Sequence, residues 1–148
     1  RLGGELHFHY DLLPNIKTGA IVNYIWSEQL SGSKKGFTLP FSPPTSTLIH
    51  FRYQPVNLNH LKNPFVAVDL NIVASQNNIV PPEVKTPGYF LLNMSTGTDL
   101  KIANQNFTFN LQVRNLLNKV YFKHTSYYRL INVPAPSRNI SVGINYQF

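Results

Sequence analysis

The sequence predicts an all-β fold, with antiparallel, up-and-down strands forming the carboxy-terminal portion of a transmembrane β-barrel. Three observations predict it. Apolar and polar residues alternate with a period of two in seven separate segments. Many of these segments run for about 9–13 residues, whereas a tilted bilayer crossing needs about 9–11 and a globular strand is more often about 5–6. The links between them alternate in length so that every long one falls at the same end, which is the layout of an outer-membrane barrel.

The first segment sets Leu6, Phe8 and Tyr10 against Glu5, His7 and His9, and a short link from Asp11 to Asn15 follows. The second sets Ala20, Val22, Tyr24 and Trp26 against Gly19, Asn23 and Ser27, with Ile21 and Ile25 as exceptions. A long Pro/Gly/Ser-rich link, Gln29 to Pro44, leads to the third, where Thr47, Ile49, Phe51 and Tyr53 oppose His50 and Arg52. Pro55 to Pro64 reads as a link of intermediate length. In the fourth segment Val66, Val68, Leu70, Ile72 and Ala74 oppose Asp69, Asn71 and Ser75. Asn77 to Gly88 is the next long link. The fifth runs from Phe90 through Leu92, Met94, Thr96, Thr98 and Leu100 to Ile102, opposite Asn93, Ser95, Gly97, Asp99 and Lys101. After a very short link, Ala103 to Asn106, the sixth alternates Phe107, Phe109, Leu111 and Val113 with Thr108, Asn110, Gln112 and Arg114. A last long link, Tyr121 to Arg138, precedes Ile140, Val142, Ile144, Tyr146 and Phe148, which alternate with Asn139, Ser141, Gly143, Asn145 and Gln147.

Composition narrows the function. Charged residues make up 13% of the 148 residues, about half the usual share of a soluble domain. The net charge of +7 is scattered over single lysines and arginines, with Lys34-Lys35 a loop doublet, so a nucleic-acid partner is not expected. There is no cysteine, hence no disulfide framework, thiolate metal site or cysteine nucleophile. Six acidic residues are dispersed, and no nucleophile elbow, zinc-protease motif or phosphate loop occurs, so no catalytic residue and no cofactor is assigned. The opening Arg1-Leu2-Gly3 reads as a point inside a longer chain.

Two segments resemble a known family. Val113-Arg114-Asn115-Leu116-Leu117-Asn118-Lys119-Val120-Tyr121 is similar to the N-L-[FL]-[DN]-[KR]-x-Y signature at the penultimate strand of TonB-dependent outer-membrane receptors. Pro134-Ala135-Pro136-Ser137-Arg138-Asn139 resembles their P-x-P-G-R-x entry to the last strand, with Ser137 where the family favours glycine. Thr86-Pro87-Gly88-Tyr89 with Leu91-Leu92-Asn93 is similar to an earlier T-x-G-Y-x-L-x-N strand start, and Pro43-Pro44 precedes a strand much as in the family. Together these cover roughly the last two-thirds of the chain.

The resemblance implies a barrel of about 22 strands with an amino-terminal plug in its lumen. It also implies bacterial outer-membrane localisation and active uptake of a siderophore, haem or other metal complex. The implied partners are outer-membrane lipid, the rest of the barrel and plug, the TonB complex acting through an amino-terminal TonB box, and the barrel-assembly machinery. Residues 1–148 would supply about seven strands and neither plug nor TonB box. Seven strands leave two open edges, which lipid does not tolerate, so the chain is expected to pair with further material. A passive porin-like barrel and a soluble β-sandwich binding module are the alternatives.

Candidate site residues follow from this placement. His124, Tyr127, Tyr128 and Arg129 cluster in the last long loop, where stacking and charge suit an incoming chelate. Phe148, Tyr146 and Ile144 form the terminal aromatic strand pattern that the resemblance links to barrel assembly. Tyr10, Trp26 and Tyr53, near strand ends, suit the headgroup zone. Paired imidazoles such as His7 and His9 can ligate a metal, yet on a strand they read as polar lumen wall, and no metal site is assigned.

Overall fold

The computed structural model describes residues 1–56, 61–102 and 105–147. Seven strands form one antiparallel sheet in sequence order: β1 Leu2–Leu13, β2 Ile16–Trp26, β3 Ser46–Tyr53, β4 Leu61–Val73, β5 Tyr89–Ile102, β6 Gln105–Arg114 and β7 Asn139–Gln147. Every neighbouring pair is an up-and-down antiparallel ladder. The strands are eight to fourteen residues long. A single 3-10 turn, Tyr127–Ile131, is the only helical segment among the described residues.

The register carries each strand's alternation across the whole sheet. One row runs Tyr10↔Thr18↔Phe51↔Val68↔Met94↔Val113↔Ile140, and a second runs Phe8↔Ala20↔Ile49↔Leu70↔Leu92. A one-residue slip at any ladder would break these rows, because it turns every side chain of a strand to the other face. The result is one continuous apolar face and one polar face. On the polar face His9↔Gly19↔His50↔Asp69↔Asn93 lie side by side, and so do Asp99↔Thr108↔Asn145.

The apolar face is not covered. Leu6, Phe8, Phe51, Ile72, Phe90, Val142 and Ile144 are all more than 40% exposed, and among the described residues the buried apolar side chains are Pro64, Ala67, Val80 and Tyr121. Those four are few for a chain that is 43% hydrophobic, and most of its apolar surface is left to be covered by something else. No described helix is long and apolar enough to cross a membrane.

Some strand ends differ from the sequence expectation. β1 continues through Leu13, with a register shift between Asp11 and Leu13, so the expected link from Asp11 shrinks to a turn at Pro14 and Asn15. β4 begins at Leu61 and takes in Pro64, which reads from sequence as part of a link. A register shift between Lys62 and Phe65, with Asn63 at a φ of 50°, takes Pro64 out of the ladder, where its missing N–H would otherwise be felt. β4 also stops at Val73, short of Ala74 and Ser75, and Ser27 has left β2. The expected links Pro55–Pro64 and Ala103–Asn106 include positions 57–60 and 103–104, which lie outside the described residues, as does Phe148.

The three long connections, residues 27–45, 74–88 and 115–138, all leave the same end of the sheet. They pack on one another there and form the folded region around which the candidate site is built.

Candidate functional site

The last long connection starts with a locked turn. Asn115 is buried with φ 50°, a left-handed conformation in which asparagine is among the better-tolerated non-glycine residues. Its backbone N–H donates to Asn93 Oδ1 at 2.9 Å, its Nδ2 donates to the Lys119 carbonyl, and its Oδ1 accepts from the Lys119 N–H. Leu116 N–H donates to the Leu92 carbonyl, tying the turn to β5. Arg138 then closes the loop onto its own start, with its N–H on Asn118 Oδ1 at 3.0 Å and Nη1 near the Leu116 carbonyl. Tyr121 packs on Tyr89 with ring centroids 4.5 Å apart, and burial pushes the Tyr121 phenol above its ordinary pKa.

These contacts bring three sequence motifs to one place. Tyr89 and Asn93, then Arg114, Asn115 and Tyr121, then Pro136, Ser137 and Asn139 line a single pocket of about 710 Å³ on the polar side of the sheet, beneath the last loop. Lys123 also lines it, so Arg114 and Lys123 give the pocket two cations. Both are exposed, and no acidic residue is among the lining groups. Arg114 sits where β6 meets the loop, opposite Asn139 on β7.

Above the pocket the three connections are fastened by a buried charged cluster. Glu83, from the second, receives Arg129 Nη2 at 2.8 Å from the third and the Phe41 N–H at 3.0 Å from the first. The Glu83 and Arg129 side chains are 8% and 2% exposed. Arg129 Nε also donates to the His124 carbonyl, and its guanidinium lies over the Phe41 ring at 5.2 Å. His124 is buried with Nδ1 at 2.9 Å from Thr86 Oγ1, while its Nε2 is 3.9 Å from Glu83, too far for a hydrogen bond. Burial, and then the charge of Arg129, hold His124 below the usual histidine pKa, against the opposing pull of Glu83. In the first connection Ser27, Thr38 and Ser42 form a buried hydroxyl cluster, and Lys34 Nζ reaches the Pro81 carbonyl of the second.

The structure separates the four loop residues singled out from sequence. His124 and Arg129 are buried in the fastening, whereas Tyr127 and Tyr128 are 72% and 66% exposed on the 3-10 turn. Ser126 caps that turn by accepting from the Tyr128 N–H, and Tyr127 packs tilted against Phe41 with ring centroids 4.5 Å apart. Tyr10, Trp26 and Tyr53 lie on the apolar face, Tyr10 and Tyr53 toward the short-turn end and Trp26 toward the loops. Ile144 and Tyr146 lie on the same face of β7, Tyr146 beside Phe107 at 5.1 Å. On the polar face His7 is paired with Glu5 and His50 with Asp69, and the His7 and His9 rings are stacked. No group of three or more metal-ligating side chains is found among the described residues.

Sequence reasoning passed over Glu83, Asn115 and the pair Arg114 and Lys123 as parts of a site. Glu83 carried no signal, being one acid in a proline-rich loop. Asn115 and Arg114 lay inside a motif that was used only for its resemblance.

No family model matches the chain, and no curated protein matches it. Among solved structures, the copper transporter OprC superposes with a TM-score of 0.81 at 23% identity, over 99% of this chain. The chain spans 22% of that protein's length. That likeness establishes the fold, and the seven-stranded sheet is a portion of a β-barrel wall.

Proposed function

We propose that this chain is part of the barrel wall of a bacterial outer-membrane receptor that takes up a scarce nutrient, a metal complex such as a siderophore or haem chelate, by a TonB-dependent route. The observation that carries the reading is the uncovered apolar face of a sheet whose three long loops fold together at one end. Such a face needs a cover, and lipid is the one that suits long up-and-down strands with their long loops gathered at one end; the loop end is then the outer mouth of a lumen lined by the polar face. The motif resemblance and the likeness in fold to a copper transporter support active uptake, and the metal complex itself rests on the resemblance. A β-sandwich needs a second sheet over the apolar face, and the described strands make one sheet.

In this reading Tyr10, Trp26 and Tyr53 sit at the lipid interfaces, and Phe148, Tyr146 and Ile144 form the assembly signal. Tyr127 and Tyr128 meet the cargo, while His124 and Arg129 hold their loop in place. The plug, the remaining strands and the TonB complex are the partners that complete transport.

The test is uptake of a radiolabelled metal complex by cells carrying the complete receptor, with and without TonB and with a protonophore. Active uptake predicts loss of accumulation in both treated cases. Accumulation that persists in both assigns the chain to a passive porin-like barrel instead.

A further inference from the structure

Among the described residues, the apolar face meets cations at one end of the sheet and not at the other. At the short-turn end the lysines and arginines of the strands, Lys17, Arg52, Lys62 and Lys101, fall in the polar rows, opposite Asp11, Ala67, Asp99 and Asn106. At the loop end two cations stand on the apolar rim. Lys119 reaches over the Phe90 ring, with Nζ 5.2 Å from its centroid. Phe90 pairs with Ile72 in an apolar row, whereas its neighbour Tyr89 lines the pocket on the polar side. Arg138 stands one residue before β7 and two before Ile140, which pairs with Val113 on the apolar face.

One turn sets both cations. The buried Asn115 side chain holds Lys119 at its N–H and at its carbonyl, 2.9 Å each. Arg138 donates its N–H to Asn118 Oδ1 in the same turn, and its Nη1 is 3.4 Å from the Leu116 carbonyl. Both side chains are exposed, and neither joins an ion pair found among the described residues. Leu117, Val120 and Ile140 are exposed beside them. Two fixed cations above bare apolar surface match a ligand that is anionic at one end and apolar at the other. Long basic side chains lay their stems on apolar surface and keep their charged heads in water. Arginine takes phosphate oxygens in a two-pronged fashion, and lysine takes them as a point charge. A free anion would gain nothing from Phe90, Leu117 and Ile140, and an uncharged lipid nothing from the cations. We propose that Lys119 and Arg138 form a headgroup site for a phosphorylated lipid of the leaflet at the loop end. Its phosphate lies on the two cations and its chains run along Phe90 and Ile140. The inference rests on the reading of the apolar face as the surface that meets lipid.

The test offers two lipids with identical chains to the complete receptor in a neutral detergent. One is a bis-phosphorylated glucosamine lipid and the other the same lipid with its phosphates removed. Native mass spectrometry counts the molecules that each sample retains. The phosphorylated lipid is expected to be retained about tenfold or more strongly, with a preference that shrinks as salt is raised. Lys119→Gln/Arg138→Gln is expected to retain one phosphorylated lipid fewer and to hold the dephosphorylated lipid unchanged. Lys17→Gln/Lys101→Gln, at the short-turn end, should match the wild type. Inorganic phosphate in large excess should leave the lipid in place, because chain contacts add to the charge. Heat-dependent mobility on gels checks that each barrel is folded. If the double variant does not fold, Lys119→Gln alone, at an exposed loop side chain, carries the test with a loss of a few-fold in retention.

Equal retention of the two lipids would overturn the proposal. So would a folded Lys119 and Arg138 variant that keeps its full complement of phosphorylated lipid. Displacement by inorganic phosphate would also overturn it, making the rim a simple anion site. Retention that depends on Lys119 and Arg138 in a receptor whose uptake ignores TonB would leave the lipid site standing and remove the transport reading. TonB-dependent uptake with unaltered lipid retention in the variants would do the reverse.

Discussion

At the residue scale, Glu83 holds the loop cluster together because it accepts from two other connections at once, from Arg129 and from the Phe41 N–H. Glu83→Ala leaves the Arg129 guanidinium buried without a counter-charge, which costs about 3–5 kcal/mol for a buried pair. The expected outcome is faster tryptic cleavage at Lys34, Lys35, Lys85 and Lys123 in a barrel that still shows normal heat-dependent mobility. Unchanged cleavage would mean that the connections are held by something else. His124 adds a pH dependence whose sign is fixed by its lowered pKa. The folded cluster favours neutral imidazole, so the unfolded loop binds a proton more readily. Stability is full above the ordinary histidine value of about 6.5, declines as pH falls below it, and stops declining below the lowered folded value. Hydrogen exchange over residues 83–86 and 124–129 should accelerate across that window, and His124→Gln should abolish the pH dependence. Gly88 shows a different constraint. A Cβ there would lie 2.8 Å from both Ser75 N and Val73 O, backbone atoms that cannot swing aside, whereas one on Gly4 meets nothing. Gly88→Ala is expected to lower the thermal midpoint by an amount equivalent to roughly 1–3 kcal/mol, with Gly4→Ala nearly neutral.

At the element scale, the proposed membrane setting gives the two faces of each strand different solvents. Leu111 on β6 is level with Val142, about halfway along β7, on the apolar face, and its neighbour Gln112 faces the other way. In the proposed setting Leu111→Arg puts a charge in hydrocarbon, at a cost of roughly 2–4 kcal/mol near the bilayer midplane, while Gln112→Arg adds a charge to a wet wall. Comparing the two in a denaturant-unfolding experiment on the complete barrel in lipid tests the assignment of faces directly. Equal destabilisation, or the reverse order, would mean that the apolar face does not meet lipid. The same logic explains how β4 accommodates Pro64. The register shift beside it takes the proline out of the ladder without moving Val66, Val68, Leu70 and Ile72 off the apolar face.

At the scale of the whole molecule, β1 and β7 are the two outer strands of the sheet, and each pairs on one side alone. Each therefore leaves a row of backbone groups to be satisfied elsewhere, a requirement that is strict in lipid. The protein purified from its source membrane in detergent, without heating, is expected to run as a species several times heavier than 16.9 kDa. A folded monomer of 16.9 kDa that needs no detergent would remove the barrel reading altogether.

The sequence by itself determined the seven strands, their alternating faces and the end from which the long loops leave. These follow from a two-residue period and from link lengths, both local properties of the chain. It misjudged Asp11 to Leu13 and Leu61 to Pro64, because ladder partners extend a strand past a turn-like composition and the register shift that tolerates Pro64 involves its pairing with β5. The candidate site was legible only in part. The motif around Asn115 was visible as a pattern, but that its turn, Tyr89 and Ser137 surround one pocket depends on β5, β6 and β7 lying side by side. His124 and Arg129 looked from sequence like loop residues free to meet a ligand. Only the tertiary structure decided that they are buried, because their partner Glu83 lies some forty residues earlier in the chain, in a loop brought to them by the ladders beneath.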